Sequence, residues 1–177
     1  MNIFVLDENP EVAAQYHLDK HCVKQILETY QMLGSAVIRH GATPDQMPLT
    51  KAGTPLRGGY KHHPVTKWVG DNIENFLWAV KLGESLCKEY TRRYHKVHSC
   101  QAGIEKLKQM RGMIPKGSLT PFAVAINDEQ TCRNNPLFNQ LSVVEKYRQY
   151  YVCDKAYMAK WTNREVPAWF ACASKSS

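Results

Sequence analysis

Between Asn9 and Arg39 the apolar residues recur at a spacing that an α-helix gathers onto one side. Val23, Ile26, Leu27, Tyr30, Leu33 and Val37 make the stripe expected to bury against a core. Beside it, His17, His21, Lys24 and Glu28 follow at i, i+4, i+7 and i+11 and share a neighbouring face. One helix is therefore predicted to carry both its folding surface and a row of imidazole, ammonium and carboxylate groups. Such a row suits proton chemistry on an anionic substrate, and a solvated polar face has the same spacing. Asn9 fits the N-cap, with Pro10 at the first turn and Glu11 at the positive end. The pattern predicts helix to about Arg39, bent near Leu18 and Asp19, with Gly41 closing it.

The remaining chain reads as helix and loop. MNIFVLD, residues 1–7, is either a short strand or an extended lead-in, and residues 41–64 form a long loop rich in Gly, Pro and Thr. Ile73, Phe76, Leu77, Val80, Cys87, Tyr90 and Tyr94 predict a second long helix, with Trp68 packed nearby. A shorter helix is expected over about 100–110, extended chain around IPKGSLTPFAVAI, and a last long helix over about 137–160. The fold expected is all-α, one helical domain over 1–173 with long loops and a frayed tail at 174–177.

With 177 residues, 44% of them hydrophobic, the chain can bury a core without staples. No apolar run is long enough to span a bilayer, so no membrane partner is expected. Asp7 and Glu8 interrupt the lead-in where a secretory signal would stay apolar. A cytoplasmic protein is expected, and its six scattered cysteines, without a CxxC pair, read as free thiols. His17 and His21 are spaced to chelate, but no third ligand is evident; neither metal nor cofactor is expected.

The net charge of +7 is concentrated. Between Lys81 and Lys116 nine basic residues face three acids, which predicts a basic surface that attracts phosphate, as DNA or as a nucleotide ligand. In GGYKHHP, Lys61 could contact phosphate and Tyr60 could stack on a base, while His63 could either line a site or cap the helix that Pro64 starts. Near the C-terminus, EKYRQYYVCDKAYMAKW interleaves rings with cations; Arg148, Tyr150 and Lys155 are the binding candidates, and Val144, Tyr147, Tyr151 and Met158 read as core.

These motifs resemble those of the small helical phage pyrimidine-dimer DNA glycosylases with abasic-site lyase activity, and of their bacterial relatives. HCVKQILETYQMLGSAVIRH looks like that family's first helix, in which a histidine precedes the catalytic glutamate by seven residues. On that match His21 and Glu28 take those positions, and Gly34 and His40 take the helix end. GYKHHP resembles the tyrosine-basic-x-His-Pro element of the bacterial relatives, and KYRQYYVCDK the family's DNA-touching C-terminal segment. The MNIFVLD start and DKH motif also resemble a set of uncharacterised phage proteins.

The resemblance implies a nucleic-acid-acting glycosylase/lyase, working in the host cytoplasm if phage-encoded. Met1, Glu28 and His21 would be catalytic; Asn2, His17, Lys24, Tyr60, Lys61, His63, Arg148, Tyr150 and Lys155 would bind substrate. An α-amine, with a pKa of roughly 7.7–8.0, is partly neutral at neutral pH and can attack the sugar. Three features depart from the family pattern. Asn2 is bulky, so Met1 is expected to remain; Leu27 and Gln31 stand where the family has arginines; and the DKH cluster and long loops are additions. The alternative is a phage nucleotide-binding protein that sequesters or degrades a small (cyclic) nucleotide signal in counter-defence.

Overall fold

The computed structural model describes residues 2–176 and is all-α. Its seven helices are α1 (Pro10–Tyr16), α2 (Asp19–Arg39), α3 (Pro64–Asp71), α4 (Ile73–Tyr94), α5 (Gln101–Gln109), α6 (Val143–Asp154) and α7 (Ala168–Ser174). Among the described residues the only β pairing is an isolated bridge between Leu49 and Pro55. No helix there is long and apolar enough to cross a membrane.

The central element is α2, which packs against α3, α4 and α5. Its buried residues include Ile26, Tyr30, Leu33 and Val37. Val23 and Leu27 depart from the expected stripe, being 39% and 45% exposed at the edge of a surface groove. Gly103 lets α5 approach α2 closely, because a Cβ there would lie 2.4 Å from the Tyr30 ring.

The helix predicted over 9–39 is two helices. Asn9 caps α1 by accepting the Glu11 amide at 2.9 Å, as its sequence position implies. His17 and Leu18 are extended (ψ 127° and 158°), and α2 starts afresh at Asp19. The break is held by a distant residue. Arg93 on α4, fully buried, donates to the carbonyls of His17 (2.7 Å) and Gln15 (3.1 Å) and to Asp19 (3.1 Å). The guanidinium thus satisfies carbonyls that a helix end leaves open. Asp19 in turn accepts the Thr162 amide and hydroxyl, drawing the C-terminal chain onto the junction.

Residues 2–6 are extended rather than a strand, and every one of them is buried. They thread between α2 and α6, where Phe4 stacks on His21 with centroids 4.2 Å apart. The C-terminal helix is shorter than predicted. Ser142 and Glu145 form a capping box that starts α6, and isolated 3-10 turns replace the helix expected on either side. The sequence reading also missed α7, whose Trp169 and Phe170 pack against Tyr16 and Trp161. Ser174 ends α7 and donates to the Phe170 carbonyl; Ser177 lies outside the described residues. All six cysteines are free.

The basic run from Lys81 to Lys116 is less open than its composition suggests, since three of its cations are matched to acids. Arg93 is buried against Glu89 and Asp19, Lys81 pairs with Glu11 at 2.6 Å, and Lys108 pairs with Glu84 at 2.7 Å. Charge surplus along the chain does not specify whether those charges are already matched across the fold.

Candidate active site

Glu28 lies on the face of α2 that meets the buried lead-in. It is 8% exposed, and its Oε2 accepts the backbone amide of Asn2 at 3.2 Å and the side-chain amide of Gln25 at 3.1 Å. Its Oε1 faces Lys24 Nζ at 3.4 Å, the lysine being largely in solvent. Gln25, Lys24 and His21 reach the same place because they precede Glu28 by three, four and seven residues on one helix. Asn2 is locked from the other side. It donates to the Ala125 carbonyl at 2.9 Å and accepts from the Tyr147 hydroxyl at 2.7 Å, which itself accepts the Ala125 amide.

These groups wall a cleft of about 310 Å³, completed by His63 at the head of α3 and by Tyr150, Lys155 and Asn127. Lys155, at the end of α6, sits 4.9 Å over the Tyr150 ring. Larger hollows exist, including one of about 800 Å³ between α4 and α5, but none of the others is walled by a buried carboxylate.

Both imidazoles of the cleft have Nδ1 engaged by the protein and a lowered pKa. Burial, reinforced by His17, Lys155 and Lys24, pushes the His21 pKa down to about 3. The Tyr151 hydroxyl lies 2.7 Å from His21 Nδ1. That contact occupies Nδ1 and leaves Nε2 as the His21 nitrogen available to the cleft. His63 Nδ1 accepts the Val65 amide at 3.2 Å, capping α3, so its proton is on Nε2. Its pKa is lowered, chiefly by burial, with the charge of Glu28 pulling the other way. The two roles weighed for His63, cap and site wall, are thus compatible: one nitrogen serves each.

Among the residues singled out in the sequence, the structure brings Asn2, His21, Lys24, Glu28, His63, Tyr150 and Lys155 to this cleft. It places the others elsewhere. His17 precedes α2 instead of sharing its face; it is fully buried, hydrogen-bonded to the Ala13 carbonyl at 2.6 Å, and burial pushes its pKa down to about 4. Arg148 is occupied by the Leu6 carbonyl (2.9 Å) and Asp7, under Tyr16 and Trp169. Tyr60 is 64% exposed in a left-handed conformation (φ 52°), and Lys61 lines a separate groove. Met1 lies outside the described residues.

Phe4, Gln25 and Asn127 were missed. Gln25 carried a signal, standing one turn from both His21 and Glu28, whereas Asn127 is far along the chain and carried none. Among the described residues no group of three His, Cys, Asp or Glu side chains is placed to hold a metal ion.

The profile of the family described as pyrimidine dimer DNA glycosylase matches residues 1–102. No curated protein and no solved structure matches the chain. The matched residues contain Asn2, His21, Lys24, Glu28 and His63, and the opposite wall, from Ala125 to Lys155, lies beyond them.

Proposed function

Since this chain belongs to the pyrimidine dimer DNA glycosylase family, we propose that it is a DNA N-glycosylase with abasic-site lyase capacity whose chemistry takes place in the Glu28 cleft. The observation that carries the reading is the hydrogen bond from the Asn2 backbone amide to Glu28 Oε2. It ties the buried carboxylate to a point one residue along the chain from the α-amine of Met1, the proposed nucleophile.

The volume of about 310 Å³ suits one nucleotide and not a duplex, so the target nucleotide is drawn out of the stack before reaction. The amine lone pair attacks C1′ while the bond from C1′ to the base nitrogen breaks, and the base leaves with that electron pair. Glu28 stabilises the positive charge that develops on the sugar, its orientation fixed in advance by Asn2 and Gln25. The amine then loses its proton to a carboxylate or water, the sugar ring opens, and a Schiff base forms. Loss of a C2′ proton from that imine expels the 3′ phosphate, which is the lyase step. Nε2 of His21 and the Nε2–H of His63 hydrogen-bond to the sugar or base, and Lys24 and Lys155 face the flanking phosphates.

Borohydride reduction of the protein with abasic-site duplex DNA tests the reading. The wild type is expected to give a covalent adduct whose peptide map carries the sugar on Met1. Glu28→Gln keeps the volume and two hydrogen-bonding ends, and is expected to lower the trapping rate at least about 100-fold. No adduct with the wild type, an adduct on Lys24 or Lys155 alone, or unchanged trapping in the variant overturns it. Tight binding of a free mononucleotide with little salt dependence, and no adduct, would move the reading to nucleotide sequestration.

A further inference from the structure

One residue along the chain from the cleft's His63, α2, α3 and the loop from Arg57 to His62 enclose a groove of about 620 Å³. We propose that this groove holds the phosphodiester backbone of the DNA strand as it leaves the Glu28 cleft, an inference that rests on the reading of the chain as a DNA-acting enzyme.

The first support is unspent charge. Arg57, Lys61 and Lys67 line the groove beside His62, all exposed, and none of these four side chains has a hydrogen bond or ion pair among the described residues. The one carboxylate there, Asp71, is neutralised by Arg39 at 2.9 Å. In the Lys81–Lys116 run, by contrast, Lys81, Arg93 and Lys108 are matched to acids across the fold. Unpaired cations gathered in a concave surface raise the local potential and favour a polyanion.

A second support is an orphan donor. Thr66, from the first turn of α3, lines the groove at 3% exposure, and its hydroxyl has no hydrogen-bond partner. A buried hydroxyl without a partner is costly, and a phosphate oxygen would accept from it.

The third is connectivity. Ser35 on α2 pins the loop by accepting the Gly59 amide at 2.7 Å and donating to the Gly59 carbonyl at 2.8 Å. Gly58 allows that approach: its φ is +70°, and a Cβ would lie 2.4 Å from Ser35 Oγ. Past this anchor, Lys61 and His62 enter the groove and His63 enters the cleft. Neighbouring residues serve the two places, so they lie within roughly 7 Å of chain of each other. A strand with its target nucleotide beside His63 has its next phosphates at Lys61 and His62. Arg57 can grip a phosphate with two N–H groups, and the lysines act as point charges.

The test is the salt dependence of binding, by fluorescence anisotropy, to a duplex carrying a reduced abasic site. The R57A/K61A/K67A variant is expected to retain the wild-type melting temperature within a few degrees. Its slope of log Kd against log salt is expected to fall by about 2.7, from about 0.9 per lost phosphate contact. The control K96A/K116A/K175A removes equal charge outside the groove and is expected to leave the slope nearly unchanged. Should the triple variant not fold, Lys61→Ala and Lys67→Ala singly are each expected to lower the slope by about 0.9.

An unchanged slope in the groove variants, or an equal fall in the control, overturns the proposal. Inorganic phosphate is the second probe: if the wild type binds it and the groove variant does not, while the DNA slope is unchanged, the groove takes free anions and the proposal fails. Borohydride trapping at saturating DNA reads the chemistry separately. A fallen slope without any adduct supports the groove and removes the lyase; an adduct with an unchanged slope removes the groove alone.

Discussion

Single residues in this protein do work that their position in the sequence only half announces. His21 and His17 looked like equivalent members of one row, yet one lines the cleft and the other is fully buried away from it. Both are uncharged in the folded state, with pKa values pushed down to about 3 and about 4 by burial. In the unfolded chain both titrate near the ordinary 6.5. Below that value the unfolded state binds more protons than the folded one, so stability is complete above about pH 6.5 and falls as the pH drops toward 4. Each ring contributes up to about 1.4 kcal/mol per pH unit in that window. Urea denaturation at pH 7, 6 and 5 should show a falling midpoint, steepest between 6 and 5. A His17→Phe variant that still folds should show a shallower fall. A midpoint flat over this range would mean that both rings are accessible to protons without unfolding.

At the scale of elements, the decisive event is the interruption between α1 and α2. Local sequence implies only a bend near Leu18 and Asp19, and a guanidinium from α4 turns it into a break by satisfying carbonyls at the end of α1. Arg93 also holds Glu89 at 3.1 Å, and Glu89 is shared with Arg164. Removing Arg93 would leave carbonyls and the Asp19 carboxylate without their buried partner, so Arg93→Ala is expected to cost about 3–5 kcal/mol in urea denaturation. Arg93→Lys should recover little of it, since an ammonium lacks the fork that reaches Gln15, His17, Asp19 and Glu89 together. Arg164→Ala, at the partly exposed edge of the same cluster, is expected to cost no more than about 2 kcal/mol. Equal losses for Arg93→Ala and Arg164→Ala would show that the junction does not depend on the guanidinium.

Across the whole molecule, the cleft is built from opposite parts of the chain. Its acid and imidazoles come from residues 2–63, within the family match, while Ala125, Asn127, Tyr150 and Lys155 close it from beyond that match. The lead-in is buried partly by those later residues: Phe4 lies against Tyr147, Tyr150 and Tyr151, and Asn2 against Ala125 and Tyr147. A fragment of residues 1–102 would expose that surface and is expected not to unfold cooperatively by circular dichroism. A cooperative transition with the midpoint of the full chain would disprove this dependence.

The amino-acid sequence alone determined α1, α2 and α4, because a 3.6-residue period and local caps such as Asn9 are properties of neighbouring residues. It also determined that His21, Lys24 and Glu28 line one cleft, since one helix places them side by side. Tertiary structure decided the rest. The break at His17 depends on Arg93, and the use of Arg148 as a staple depends on the Leu6 carbonyl. The pairing of Lys81 and Lys108 with acids, and the far wall of the cleft, likewise depend on partners dozens of residues away. Periodicity reports which face of a helix is buried; it carries no information about what that face meets.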